Sequence, residues 1–321
     1  MAFYRRERVA RLLEPPLPLT EIEGVEELHH AVIDRLGVRG ACFFPELVSA
    51  LPDAGTPALA DHLWDLVWWG QVTNDSMGGL RALRAVRKGA RSGGRRRSRF
   101  VPGRWSLVAD LVDPSVSDTE RAHGRATTLL ERHGIVTREA AAVESWSGGF
   151  SAIYRVLKEM EGSGKVRRGY FVEGLGGAQF AFPGAVDRLR KVDGSDGEGQ
   201  VHVLAATDPA NPFGWLLPWP EFNGPGARGP RRARAASVVL VDGWPVLFLD
   251  RRGRRLRTLS GATEEQLDRA VEALPQLARR SRRRSLLIEE VDGERAGQSV
   301  LGARLRTQGF TAEYRGLRME A

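Results

Sequence analysis

Cysteine is nearly absent: Cys42 is the only one in 321 residues. A lone thiol excludes an internal disulfide and any zinc site built on paired cysteines, and the six histidines fall into no H-E-x-x-H or similarly close ligand spacing. No metal and no other cofactor is expected in this chain. Long apolar runs are missing too. No window approaches the roughly 18 residues of a membrane helix, and "MAFYRRERVARLLEPP" at the N-terminus has no apolar stretch behind its charges, as a signal peptide would. No membrane partner is expected, and the location that fits is the cytoplasm, on the nucleoid.

A complete phosphate-binding loop is also lacking. Gly162-Ser163-Gly164-Lys165 resembles the end of one, but G-x-x-x-x-G-K-[ST] needs a glycine where Glu159 stands and a hydroxyl where Val166 stands. The stretch also ends a helical pattern and starts a strand, the reverse of what such a loop requires.

Acidic residues are the minority, 40 against 48 Lys+Arg, for a net charge of +8, and nearly all the excess is arginine. Arginine is always charged and grips phosphate with a planar fork, so nucleic acid is the leading partner class. The charge is also clustered. "RKGARSGGRRRSR" at 87–99 has seven basic residues, no acidic one and no hydrophobic period, and reads as a basic linker.

With 42% hydrophobic residues the chain can bury real cores. Breaks at 87–99, at "VDGSDGEGQ" (192–200) and at "NGPGARGPRRARAA" (223–236) divide it. The expected fold class is α+β, with two tandem winged-helix domains followed by a β-rich, barrel-like domain. The expected boundaries are 1–86 with an N-terminal extension, the linker 87–104, 105–191 and 192–321. In the first block three short helices precede a strand-like end. In the second, "GGFSAIYRVLKEMEGSG" is the third helix and "KVRRGYFVEGLGGAQFAF" a pair of strands. Beyond residue 200, Asp242-Gly243 joins two apolar runs as a hairpin turn, and "TEEQLDRAVEALPQLARR" and "SVLGARLRTQGF" read as helices.

In the second block Phe150, Ile153, Leu157 and Met160 fall on one helical face and Ser151, Arg155, Lys158 and Glu159 on the other. A winged helix sets this helix near the groove and its wing along the phosphates, which makes Ser151, Arg155, Lys158, Lys165, Arg167 and Arg168 the DNA-contact candidates. Arg95, Arg96, Arg97 and Arg99 of the linker, and Arg251, Arg252 and Arg254 of "RRGRRLR" (251–257), would extend the basic track. The first block exposes Asp61 and Asp65 on its third helix, where phosphate would be repelled, so it is expected to pack on protein. Trp68 and Trp69 fit a core or interface better than base stacking.

Seven segments together carry a family resemblance: "FF" (43–44), "LWDLVW" (63–68), "VTND" (72–75), "LRAL" (80–83), "RRGYFVEGLGGAQF" (167–180), "DPANPFG" (208–214) and "LPWP" (217–220). The chain resembles the C-terminal region of the Lhr-type (large helicase-related) superfamily 2 DNA helicases of bacteria. That resemblance implies winged helices and a β-rich module that follow an ATPase core, bind DNA and assist translocation or repair. ATP hydrolysis would then reside elsewhere, and the partners would be DNA, single-stranded or duplex, and the helicase ATPase core. The sequence departs from the family at Trp69, where a small residue is usual, and at Gln71, where the family usually has Glu, so that carboxylate is missing here.

Two other functions remain open. Tandem winged helices also resemble bacterial alkyl and crosslink DNA glycosylases, but "GQVTND" does not reproduce their Gln-x-Gln motif, and Glu313 and Glu320 are the only carboxylates suggested, by charge and nearby basic residues. Homo-oligomerisation through Trp215, Trp219 and Trp244 is the third.

Overall fold

The structure, a computed structural model, describes residues 4–81, 102–144, 146–193, 200–222 and 229–321. Two compact units, Met1–Thr127 and Thr128–Ala321, divide the chain within one helix.

In the first unit a short helix α1 (Arg6–Val9) precedes α2 (Glu27–Arg39), β1 (Cys42–Phe43), α3 (Phe44–Ala50), α4 (Thr56–Trp68), β2 (Val72–Asn74) and β3 (Arg104–Leu107). Gly55, at φ 67, and Pro57 start α4, whose Leu59, Ala60, Leu63, Trp64 and Leu66 are buried at helical spacing. They close on fully buried Trp105 of β3, whose ring meets that of Trp64 edge-on at 5.5 Å. The strands pair in the order β1-β3-β2.

That order corrects one expectation. Val72 pairs with Leu107 and Asn74 with Trp105, so β3 completes the sheet of the first block. The segment 87–99 therefore lies between two paired strands of one sheet and does not join two blocks. Its own residues, Arg95, Arg96, Arg97 and Arg99 among them, lie outside the described residues.

The helix that carries the division, α5 (Asp118–His133), opens a second series: β4 (Ile135–Val136), α6 (Arg138–Val143), α7 (Gly149–Gly162), β5 (Arg167–Gly169) and β6 (Gln179–Ala181), with α8 (Pro183–Asp193) after it. The strand order β4-β6-β5 repeats that of the first series.

The remaining chain has mixed α/β content. β7 (Val201–Ala205), β8 (Ser237–Val241), β9 (Trp244–Asp250), β10 (Arg255–Thr258), β12 (Glu290–Val291) and β13 (Glu294–Arg295) form one sheet, and β11 (Ser285–Ile288), β14 (Thr311–Glu313) and β15 (Gly316–Glu320) another. Period-2 alternation buries both faces of β8. Val239 and Val241 face a core shared with α9 (Glu264–Glu272), α10 (Leu274–Arg280) and α11 (Val300–Thr307), whereas Val238 and Leu240 face Phe213, Leu217 and Trp219 of the loop 206–222.

Among the described residues the barrel-like domain expected here shows no closed barrel. The six strands run in linear order from β13 to β7, and the chain changes sheets between Ile288 and Glu290, where the N–H groups of Glu289 and Glu290 both donate to the Arg254 carbonyl. At that corner a Cβ on Gly316 would lie 2.1 Å from the Ile288 carbonyl, so only glycine fits. The long helix expected over 263–280 is two helices, because Pro275 lacks the N–H needed to continue the first.

Candidate nucleic-acid interface

Helix α7 starts from Gly148 in the left-handed conformation (φ 73) and buries Phe150, Ile153, Leu157 and Met160. Its opposite face exposes Ser151, Arg155, Lys158 and Glu159, as the periodicity requires. The helix ends where the Met160 carbonyl accepts the N–H groups of Lys165 and Val166 at 2.9 and 3.3 Å, which turns the chain into β5.

The basic candidates divide by what they already touch. Arg168 lies 3.4 Å from Glu161 and Arg167 4.0 Å from Asp187, so both wing arginines are partly compensated. Arg155, Lys158 and Lys165 are exposed and have no carboxylate partner among the described residues. Of the winged-helix candidates, those without a carboxylate partner among the described residues are thus on α7 and the turn after it.

The wing loop 170–178 is organised by Gln179, which is fully buried. Its Oε1 accepts the N–H groups of Phe171 and Val172, both at 2.8 Å, while its Nε2 donates to the carbonyls of Val172 at 2.9 Å and Leu175 at 3.4 Å. One amide thus serves loop groups that no strand partner reaches. Tyr170, 84% exposed, stands at the start of this loop.

In the third region the arginines of 251–257 are mostly engaged. Arg254 lies 3.7 Å from Glu289, Arg255 3.2 Å from Glu290, and Arg257 is buried with its guanidinium 4.9 Å over the Phe222 ring. Arg251 and Arg252 are exposed on a tight turn with φ of 47 and 64. Glu313 is ion-paired with Arg318 at 2.5 Å, and Glu320 is exposed opposite Ser285. The two glutamates sit at opposite ends of the β14–β15 hairpin, so they do not form a carboxylate pair.

The tryptophans expected at an oligomer contact are largely committed within the chain. Trp215 Nε1 donates to the Asn211 carbonyl at 2.8 Å, Trp219 stacks on Phe213 at 5.9 Å, and Trp244 Nε1 donates to the Ser260 carbonyl at 3.1 Å. Asn211, itself fully buried, donates from Nδ2 to the Ala206 carbonyl at 3.0 Å, and its Oδ1 accepts the Phe213 N–H at 3.2 Å. In the first unit the unusual Gln71 donates from Nε2 to the Leu17 carbonyl at 2.6 Å, a bond an ionised glutamate could not supply.

Residues 115–201 match the family described as the winged-helix domain of large helicase-related protein. The chain is 38% identical over 97% of its length to a protein of Mycolicibacterium smegmatis named Lhr helicase/probable uracil glycosylase, covering 23% of that protein. It is 33% identical over 90% of its length to the Lhr helicase/uracil glycosylase of Escherichia coli K12, covering 20% of it. The chain is an Lhr-type region. It spans about a fifth of the length of the curated relatives it matches.

Sequence reasoning missed three features of this Lhr-type region. Gln179 and Asn211 lie inside the segments that carry the family resemblance, but a lone amide among glycines or prolines gives no periodic signal. The third is the arginine run 279–284, visible in the sequence and passed over because it continues a helical pattern.

Proposed function

We propose that this Lhr-type region is a DNA-binding accessory part of an ATP-dependent helicase engaged in DNA repair, built on tandem winged helices and without ATPase motifs of its own. The observation that carries this is the exposed face of α7, where Arg155, Lys158 and Lys165 have no acidic partner among the described residues. In a winged helix this face meets the groove, with Ser151 beside it and Arg167 and Arg168 along the backbone. The first series, with the same order of elements and strands, is the other copy, and its exposed Asp61 and Asp65 suit it to a protein partner such as the helicase core. Arg95, Arg96, Arg97 and Arg99, which lie outside the described residues, and Arg251 and Arg252 are further candidate contacts. The region works in the cytoplasm, on the nucleoid; no described helix is long and apolar enough to cross a membrane.

The test is binding of the full chain to labelled single-stranded and duplex oligonucleotides as a function of salt. The double variant Arg155→Ala/Lys158→Ala is expected to bind more weakly, with a log K against log[salt] slope smaller by about 2. An unchanged affinity and slope would refute the assignment of α7.

A second reading, base excision, is favoured by the names of both relatives, each of which includes uracil glycosylase. On this chain exposed Glu320 is the carboxylate to test, since its neighbour Ala321 is held by Arg284 in a basic setting. Uracil release by the parent chain, lost in Glu320→Gln, would support it. No release by the parent would leave the accessory reading alone.

A further inference from the structure

From the last turn of α10 to the start of β11, five arginines occupy six positions: Arg279, Arg280, Arg282, Arg283 and Arg284. All five are exposed, and none is ion-paired with an Asp or Glu side chain among the described residues. The contrast is within the same unit, where Arg254, Arg255, Arg269 and Arg318 each sit on a glutamate.

The backbone under these side chains is fixed. The Arg284 N–H donates to the Ser281 carbonyl at 3.0 Å, and Ser281 Oγ donates to the Ser285 carbonyl at 2.9 Å while accepting its N–H at 3.0 Å. The Ala321 N–H donates to the Arg284 carbonyl at 2.9 Å, Arg284 Nε returns to the Ala321 carbonyl at 2.8 Å, and Arg280 donates to the Val203 carbonyl at 3.0 Å.

Local geometry does not select arginine here. Arg284 holds φ 48, a conformation that glycine or asparagine adopts more easily. The carbonyls at the end of α10 offset charge at Arg279 and Arg280, but Arg282 and Arg283 lie beyond them. Like charges held on a rigid turn repel one another, and a polyanion relieves that repulsion.

We propose that the 279–284 turn is a further DNA-backbone contact, on the β-rich part of the chain, in which Arg279, Arg282 and Arg283 grip phosphates. Arginine's planar fork suits phosphate oxygens, and a preformed turn presents its guanidinium groups without first ordering the chain. The proposal rests on the DNA-binding reading and names a surface outside α7 and its wing.

The test uses the full chain and a labelled duplex. The triple variant Arg279→Gln/Arg282→Gln/Arg283→Gln leaves in place the arginines that hold backbone carbonyls, and melting followed by circular dichroism checks its fold. Its log K against log[salt] slope is expected to fall by about 2 to 3, while the matching triple lysine variant keeps the parent slope. A parent-like slope in the glutamine triple overturns the proposal. If Arg155→Ala/Lys158→Ala is silent while the glutamine triple loses slope, α7 is off the DNA and the arginine turn stands.

Discussion

The side chain of Gln179 pairs with the backbone of Val172 as a neighbouring strand would, accepting its N–H at 2.8 Å and donating to its carbonyl at 2.9 Å. The wing loop of the second series therefore keeps one shape before any ligand arrives. Gln179→Ala removes the partner of two N–H groups and at least one carbonyl, and is expected to cost about 3 kcal/mol in urea unfolding. DNA affinity should fall more than the lost stability explains if the wing lies on the backbone. Binding assayed well below the unfolding midpoint separates the two effects.

A pH response is expected in the first unit, where His29 is buried between the rings of His62 at 4.4 Å and Trp69 at 4.6 Å. Burial, aided by the nearby His62, lowers the His29 pKa from 6.5 against the pull of Asp65 and Glu26. The neutral ring is favoured on folding, so its contribution declines as pH falls from about the unfolded value through the lowered one. For His62, burial would lower the pKa, but hydrogen bonds to Glu26 and the Ala58 carbonyl, with the charges of Glu26 and Asp65, raise it above 6.5. Its contribution is present below the unfolded value and lost as pH rises through the raised one. The two oppose each other, and a substitution separates them. His29 Nδ1 accepts the Glu26 N–H at 2.9 Å, a place that glutamine fills in a capping box. His29→Gln should therefore keep the helix start and raise the urea midpoint at about pH 5.5 relative to pH 8. An unchanged ratio of midpoints would remove His29 as the acid-sensitive group.

Much of this architecture is written in local periodicity. The α7 face and the two faces of β8 follow from spacings of 3.6 and 2, and Asp242-Gly243 marks the β8–β9 turn, with φ of 51 and 82. Pairings between distant segments are not written there. Val72 meets Leu107 across an insertion that reads as a linker, and Leu256 pairs in parallel with Val291, which no hairpin signal announces. Ion-pair partners are equally hidden. "RRGRRLR" looks like a free basic run until Glu290 of β12 and Glu289 just before it arrive, whereas the turn at 279–284 meets no Asp or Glu side chain among the described residues.

Asn211 makes a loop rigid in the way Gln179 does. Its side chain bridges the Ala206 carbonyl and the Phe213 N–H, and its own carbonyl accepts both Trp215 Nε1 and, at 2.7 Å, Arg232. Asn211→Ala is expected to destabilise the unit by about 3 kcal/mol and to alter tryptophan fluorescence, because Trp215 and Trp219 are positioned by this loop. Asn211→Asp keeps the acceptor but turns a second oxygen toward carbonyls, and should cost nearly as much at neutral pH. Full stability of the aspartate variant would show that the donor is dispensable.

Asp292 offers the opposite case, a residue whose replacement should stabilise. It sits at φ 51 before Gly293 in the β12–β13 turn, and its two oxygens accept the Thr258 N–H and Oγ1–H, both at 2.8 Å. Burial pushes its carboxyl pKa above 3.8, despite the Thr258 bonds and the nearby Arg257 charge. Between 3.8 and the raised value the folded state holds more protons than the unfolded, so stability falls as pH rises through that window and then levels off. Asp292→Asn removes the buried charge, keeps an acceptor for the Thr258 N–H and suits an Asn-Gly turn with φ above zero at both residues. It should raise stability by about 1 kcal/mol at neutral pH, a gain that disappears in acid, where Asp292 is already protonated. Asp292→Ala, which strands the Thr258 N–H, should lower stability by about 2 kcal/mol in acid and by less at neutral pH, where it also removes the buried carboxylate. Urea midpoints of the three proteins across pH test the assignment, and a gain for asparagine that persists in acid would trace the effect to turn geometry and not to the carboxylate.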